Sequence, residues 1–388
     1  MEILLNPVRE YAWGSHTVIA GLQGRPTPTA APEAELWMGA HPSAPSRVRR
    51  GDQLVSLAEL VEADPRSLLG PAVFGRFGAR LPYLLKLLAP EQPLSLQAHP
   101  DAERAAAGHA AGNPSYVDAY HKPELLVAVS PFEALCGFRP PGRAATALAA
   151  LDVPGLAPVV AVLTDGERGL RFAVETLLGW PVDDRERLVA VVAAAAGRLA
   201  AAGGVDALAY RTVVDLAERY PSDMGVVVSL LLHRLSLAPG EAVWMPAGNL
   251  HAYLRGAGVE ILAASDNVLR GGLTVKPVDV PELLRVLSFA PLADPVLRPT
   301  AVGPGVVTWP VPVPDFRLRR VTVGGALPVV TLPLTGPRTV FCLSGVVVAD
   351  DGQPVEVPAG GAAFGGAAGG PLRLSGDGVA FVATTGLD

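Results

Sequence analysis

Between about residues 142 and 220 the chain turns rich in Ala and Leu, with charges at helical intervals, as in Asp184-Arg185-Glu186-Arg187-Leu188-Val189-Ala190-Val191-Val192. Apolar side chains recurring every three to four residues describe one buried helix face. The spacing predicts helices over 143–151, 169–178, 184–201 and 205–219, separated by Gly or Pro. On both sides of this block the pattern is that of strands. Short apolar runs at 83–88, 94–99 and 123–129 precede it, and two or three strands with a turn at Ala238-Pro239-Gly240 are expected within 226–262. The helical block is therefore an insertion in a β unit assembled from residues 1–141 and 221–298.

Smaller signals fill in the rest. Helix-like spacing at 55–63 and 67–77 interrupts the early strands, and Pro100 with Asp101 opens an Ala-rich helix. Beyond Pro299, alternating runs at 317–323, 339–348 and 372–384, with turns at Asp351-Gly352 and Gly376-Asp377-Gly378, predict a small β barrel or sandwich over 299–388. The Gly and Ala run at 359–370 lacks the Gly-Lys-Ser/Thr ending of a phosphate loop and is read as a flexible turn.

Composition excludes several function classes. Lys and Arg number 31 against 37 Asp and Glu, a formal charge of −6, which argues against a basic nucleic-acid binder. The longest apolar stretches, 188–197 and 224–232, fall short of the ~20 residues that cross a bilayer. Residues 1–5 lack a basic start and run directly into Asn6, Pro7, Arg9 and Glu10, so no targeting segment is expected and the location expected is cytoplasmic. The only cysteines, Cys136 and Cys342, suit a reducing compartment.

Three strings carry chemistry. In Leu94-Ser95-Leu96-Gln97-Ala98-His99-Pro100, the period of two puts Ser95, Gln97 and His99 on one strand face and the apolar residues on the other. That polar face looks into a cavity, water or a metal. The string from Gly240 to His251 has the spacing G-x5-P-x-G-x2-H and resembles the second motif of cupin barrels, where a Pro and Gly turn leads into a strand carrying a metal-binding His. Arg255 stands where cupins usually have Asn. In Tyr120-His121-Lys122-Pro123-Glu124, Glu124 opens an apolar strand. A charged residue there can simply mark a strand end. Joined with Gln97, His99 and His251 it makes a two-nitrogen, two-oxygen site acceptable to Zn²⁺, with a position left open. His16, His109 and His233 are read as incidental.

These strings, with Asn6-Pro7-Val8, Tyr11-Ala12-Trp13-Gly14-Ser15, Glu35-Leu36-Trp37-Met38-Gly39-Ala40-His41-Pro42, His251-Ala252-Tyr253-Leu254 and Ala264-Ser265-Asp266-Asn267-Val268-Leu269-Arg270-Gly271-Gly272-Leu273-Thr274, resemble the type I mannose-6-phosphate isomerases from the N-terminus to about residue 290. The resemblance implies a cupin-type β-barrel or jelly-roll core with a helical domain and a second, C-terminal β domain. It implies one Zn²⁺ per chain held by Gln97, His99, Glu124 and His251, and Arg270 as the active-site arginine. Two departures stand out. The family commonly reads Leu-Thr-Pro-Lys after the arginine, where this chain has Leu273-Thr274-Val275-Lys276-Pro277, and Ala247-Gly248-Asn249-Leu250 replaces the more usual Thr-Pro before the histidine.

Moving a proton between C1 and C2 of a sugar phosphate passes through an enediol or enediolate, so the site must stabilise negative oxygen and supply a base. Glu260 is the leading base, with water on the zinc, Lys122 and Lys276 as alternatives. The other reading of Glu260 is a strand-edge carboxylate paired with an arginine. Arg270 and Lys276 are six residues apart, close enough to share a phosphate or divide it with the enediolate. Lys86 and Ser95 are further phosphate candidates, or structural residues. Trp13 and Tyr253 can wall the sugar, or Trp13 can be a core aromatic that holds the N-terminal segment. The expected partner is a small sugar phosphate bound by a monomer or weak homo-oligomer. Two other classes compete: an Fe²⁺ cupin oxygenase, disfavoured by the Gln ligand and cationic Arg270 segment, and a non-catalytic sugar-phosphate-binding cupin, disfavoured because all four ligand positions and the arginine are present.

Overall fold

The computed structural model describes residues 1–387. Two antiparallel sheets form its centre. One runs in the order Val296–Leu297, Ala242–Met245, Glu124–Ala128, Gly258–Ala263, Tyr83–Leu88, Glu35–Met38, Val8–Arg9; the other runs Leu232–Leu237, Phe132–Phe138, His251–Arg255, Leu96–Ala98, Leu269–Gly272. Strands from before and after the helical block interleave in both, so neither sheet can close until the whole of 1–298 has been brought together.

The two sheets lie face to face. Leu88, Leu126, Ala128, Val243 and Met245 of the first make one buried cluster with Phe132, Ala134, Cys136 and Tyr253 of the second. Alternation along each strand sends the other residues outward. Leu85, Leu87, Leu125, Val127, Val259 and Ile261 pack against Trp309, Phe316, Leu318, Phe341, Phe364 and Phe381 of the C-terminal β region. Leu96, Ala98, Leu135, Ala252, Leu254 and Leu269 pack against the helices. Tyr83–Leu88 is apolar almost throughout because both of its faces are covered. The result is a mainly β, cupin-type core with helices over one side and a second β structure over the other.

The helical block contains Pro141–Ala149, Glu167–Leu178, Val182–Ala202 and Ala207–Arg219, close to the four expected, and adds a short helix Ala157–Val162. Gly155 and Pro158 mask that helix in the sequence, although Pro is favourable in a first turn. The Ala-rich helix is Ala102–Ala110, capped by the Asp101 carboxylate accepting from Arg104 N at 2.7 Å, so Pro100 lies outside it. The segment 226–262, expected to hold two or three strands, begins as helix and then forms four strands, Leu232–Leu237, Ala242–Met245, His251–Arg255 and Gly258–Ala263. Asp223 Oδ1 accepts from Gly225 N at 2.7 Å, and this Asx-type turn leads into a helical turn, Gly225–Val228, despite the β-branched composition. Gly376-Asp377-Gly378 is not a turn: it lies inside Leu372–Thr384, paired along its length with Arg338–Asp350. Gly376, at φ 106°, adopts a conformation that favours glycine while the ladder continues through it. The run 359–370 contains a strand, Ala362–Gly365, which pairs with Glu2–Leu4. Among the described residues, no helix is long and apolar enough to cross a membrane.

One glycine has a direct bearing on the site. Gly137, at φ 68° within Phe132–Phe138, leaves no room for a side chain: a Cβ there would sit 2.3 Å from Leu292 Cδ1 and 2.7 Å from Asn249 Oδ1. Gly137→Ala should cost about 2–4 kcal/mol through strain and overpacking. A urea-unfolding midpoint equal to that of the wild type would contradict this packing.

Candidate metal centre and active site

Strand register assembles the site. In the five-stranded sheet His251 lies opposite both Cys136 and Gln97, and Gln97 opposite Arg270. Directly opposed residues of antiparallel strands project from one face, so Gln97, His251 and Arg270 form a single row. In the seven-stranded sheet Glu260 is opposite Lys86, and Lys86 opposite Trp37. Glu124 lies two residues before Leu126, which is opposite Glu260, so Glu124 shares that face. The two polar rows meet between the sheets, where the apolar filling gives way.

His99 Nε2 is 3.2 Å from Glu124 Oε1, and His251 Nε2 is 3.3 Å from Glu124 Oε2. One ligand atom from each of the three residues lies within 4.8 Å of the others, and all three side chains are buried. The ring orientations are set from behind. His99 Nδ1 donates to Asn267 O at 2.8 Å and His251 Nδ1 to Asn249 O at 3.1 Å. A carbonyl can only accept, so in the neutral imidazoles the lone pairs lie on the Nε2 atoms, and both of these face a carboxylate. Despite the short separations, His99 Nε2, His251 Nε2 and Glu124 Oε2 make no hydrogen bond among the described residues. Buried acceptors converging without a donor are costly, and a cation between them removes the cost. The donor set of imidazole nitrogens and carboxylate fits a divalent metal, with backbone carbonyls orienting the ligands. Gln97, half-buried opposite His251, is on the face to add an amide oxygen.

Burial pushes the His99 imidazole down to about 4, keeping it neutral. Burial opposes ionisation of Glu124, but its polar and cationic neighbours, the Lys122 ammonium among them, outweigh it and hold the carboxyl well below its ordinary value. Lys122 Nζ is 3.3 Å from Glu124 Oε1.

Beside this group lies a second buried set. Lys86 Nζ is 3.3 Å from Glu35 Oε2, 3.7 Å from Glu260 Oε2 and 4.8 Å from the centre of the Trp37 ring. Burial works against the Lys86 charge; Glu35, Glu260 and Glu124 more than restore it, so its pKa is raised. Burial, reinforced by Glu124, pushes the Glu260 carboxyl up to about 7. Tyr253 donates its hydroxyl to Glu260 Oε1 at 2.8 Å, and its ring centre is 5.8 Å from that of His251, linking the two sets. Glu260 is on an interior strand, not a sheet edge, and its cationic neighbour is a lysine, not an arginine.

Other candidates lie further out. Arg270 is half-buried, and no partner for its guanidinium is found among the described residues. Lys276 is exposed in the loop after Leu269–Gly272. Ser95 is half-buried just before Leu96–Ala98, a strand shorter than the run 94–99. Trp13 is half-buried and stacks on Tyr11 at 5.7 Å, while its carbonyl accepts from Glu91 N at 2.9 Å and Gln92 N at 3.2 Å; its backbone thus holds the N-terminal segment. His16, His109 and His233 each meet a backbone carbonyl away from the metal group. Glu35 and Trp37 belong to the buried set but carry no role in the sequence reading. Their signal was a carboxylate in an otherwise apolar strand, Glu35–Met38, every residue of which is buried.

The raised Glu260 pKa has a consequence for stability. In metal-free protein, its contribution is fully present below the ordinary 4.5 and is lost as pH rises through about 7. Glu260→Gln should flatten this dependence, by about 3 kcal/mol between those limits. Parallel urea midpoints for chelated wild type and variant from about pH 5 to about pH 8 would contradict the assignment.

The family description "Phosphomannose isomerase type I, catalytic domain" matches residues 1–141. The mannose-6-phosphate isomerase of Escherichia coli (strain K12) is 37% identical over 395 residues, covering 97% of this chain and 98% of that protein. The mannose-6-phosphate isomerase of Homo sapiens is 32% identical over 392 residues, covering 93% and 92%. Crystal structures of an arginine-to-alanine and a histidine-to-glutamine variant of phosphomannose isomerase from Salmonella typhimurium each superpose with a TM-score of 0.91 at 34% identity, covering 99% of both chains.

Proposed function

The chain belongs to the type I mannose-6-phosphate isomerases and is an isomerase enzyme, and from that membership we propose that it interconverts D-mannose 6-phosphate and D-fructose 6-phosphate through an enediol or enediolate, with Zn²⁺ held by Gln97, His99, Glu124 and His251. The observation that carries this is the convergence of three buried ligand atoms within 4.8 Å, next to a carboxyl pushed up to about 7. When bound, the metal supplies Lewis acidity toward the sugar oxygens.

This chain's own groups do the rest. Glu260 takes the proton from C2 of the aldose and returns it to C1, while the O2 hydroxyl proton ends on O1, so no atom is gained or lost. A carboxyl poised near neutrality suits both directions of transfer. Lys86 stays charged and holds Glu260 from one side, and the Tyr253 hydroxyl fixes its other oxygen. Lys122 is the second candidate for moving a proton, at the oxygens nearest Glu124. Arg270, with its guanidinium uncommitted, stabilises charge on the enediolate or the phosphate, and Lys276 and Ser95 are assigned to the phosphate end, while Lys86, engaged by Glu35 and Glu260, serves the substrate through Glu260. Trp13 and Tyr253 wall the sugar.

Residues 1–141 with 221–298 are taken as the catalytic domain, 142–220 as the helical domain and 299–388 as the C-terminal β domain. The protein is placed in the cytoplasm as a monomer or weak homo-oligomer acting on a small sugar phosphate, away from nucleic acid and membrane; two free, buried cysteines fit that setting. The test is a coupled assay on purified, zinc-loaded protein. Fructose 6-phosphate should form from mannose 6-phosphate without oxygen consumption. Binding of mannose 6-phosphate with no product would replace this function with a non-catalytic one.

A further inference from the structure

Asn267 is fully buried and contacts neither the metal group nor the Lys86 set through its side chain, yet its carboxamide is saturated. Its Oδ1 accepts from Val117 N at 2.7 Å and Asp118 N at 3.2 Å. Its Nδ2 donates to Asp118 O and Tyr120 O, both at 2.8 Å, and to Asp118 Oδ1 at 3.2 Å. The neighbours of Asn267 close the same clasp: Ser265 donates its hydroxyl to Asp118 Oδ1 at 2.9 Å, and Asp266 N donates to Asp118 Oδ2 at 2.8 Å. The clasped turn, residues 117–120, runs directly into His121, Lys122 and Glu124. On the far side His121 Nε2 meets the buried Asp315 carboxylate at 3.0 Å.

The main chain of Asn267 performs a different task, since its carbonyl accepts from His99 Nδ1. Three residues later the chain reaches Arg270. One residue therefore touches, through backbone or side chain, the segments that deliver His99, Lys122 with Glu124, and Arg270. The carboxamide supplies two N–H donors together with an acceptor oxygen, and this turn's backbone uses both kinds.

We propose that Asn267 is a positioning residue, which fixes the 117–120 turn against the His99 carbonyl contact and thereby sets Lys122 and Glu124 relative to the metal site. This rests on the roles given above to Lys122 and the metal ligands. Aspartate at this position cannot donate to Asp118 O or Tyr120 O and sets a second negative charge beside Asp118, so the turn must move.

The experiment compares wild type, Asn267→Asp, Lys122→Ala and the double variant as full-length protein. At saturating Zn²⁺, Asn267→Asp should lower kcat about 10²-fold with KM changed less than about threefold, as expected of a small displacement of reacting groups. Its affinity for Zn²⁺, measured by competition with a chelating dye without substrate, should fall about 10-fold or more. In the Lys122→Ala background the same substitution should lower kcat by about 10-fold or less, because one of the two groups it positions is gone and only Glu124 remains. A loss that multiplies undiminished through both backgrounds, or unchanged zinc affinity, overturns the positioning role. Lys122→Ala turning over at the wild-type rate instead overturns the function given to Lys122. If Asn267→Asp does not fold, Asp118→Ala, which removes the reciprocal acceptor, should give the same pattern at smaller amplitude. Wild-type kcat and zinc affinity in Asp118→Ala would count against the clasp.

Discussion

Replacing His251 by alanine should remove metal and turnover together. The ring is fully buried, its Nδ1 is committed to Asn249 O, and its Nε2 has only Glu124 and the space shared with His99 to face. Without it, two of the three converging ligand atoms remain and cannot hold a divalent ion against water. Zinc affinity should drop by at least about 10³-fold, and kcat by a similar factor or more, because the Lewis acid leaves with the ligand. His99→Ala should behave the same way. Circular dichroism and urea unfolding separate metal loss from misfolding. A variant with full zinc occupancy would remove His251 from the ligand set.

Arg270→Ala should give the opposite dissociation, retaining zinc while losing turnover. The arginine shares a row with Gln97 and His251 but has no carboxylate partner among the described residues, so its removal leaves no buried charge uncompensated. Loss of one charge-stabilising donor costs about 10²–10³-fold in kcat. Arg270→Lys should recover part of this, because an ammonium keeps the charge but not the fork of donors. Zinc content is the control: equal to wild type in both variants. Wild-type rates for Arg270→Ala would show that the enediolate or phosphate charge is met elsewhere.

Local patterns in the chain account for much of this architecture. The helical block is visible because a period near 3.6 persists through Val182–Ala202 and Ala207–Arg219. The strings around Gln97 and His99 and around Pro246, Gly248 and His251 are readable because the residues that shape each turn lie next to the residue it presents. What spacing cannot reveal is register between distant strands. Glu35, Lys86 and Glu260 meet only because three strands stack side by side, and nothing local to any one of them announces the other two. The Asn267 clasp is hidden for the same reason, since its partners lie about 150 residues earlier. The errors in element type have local causes that composition obscures: an Asx-type turn at Asp223 leads a Val and Leu run into a helical turn, and Gly376, at φ 106°, carries the strand straight on where a chain reversal was expected.

The most direct measurement is zinc stoichiometry followed through removal and return. Purified protein should contain one Zn²⁺ per chain; exhaustive chelation should abolish isomerisation while leaving the fold intact, and one equivalent of Zn²⁺ should restore it. Undiminished conversion of mannose 6-phosphate by protein shown to be metal-free would mean that His99, Glu124 and His251 converge for some purpose other than holding the ion on which the reaction depends.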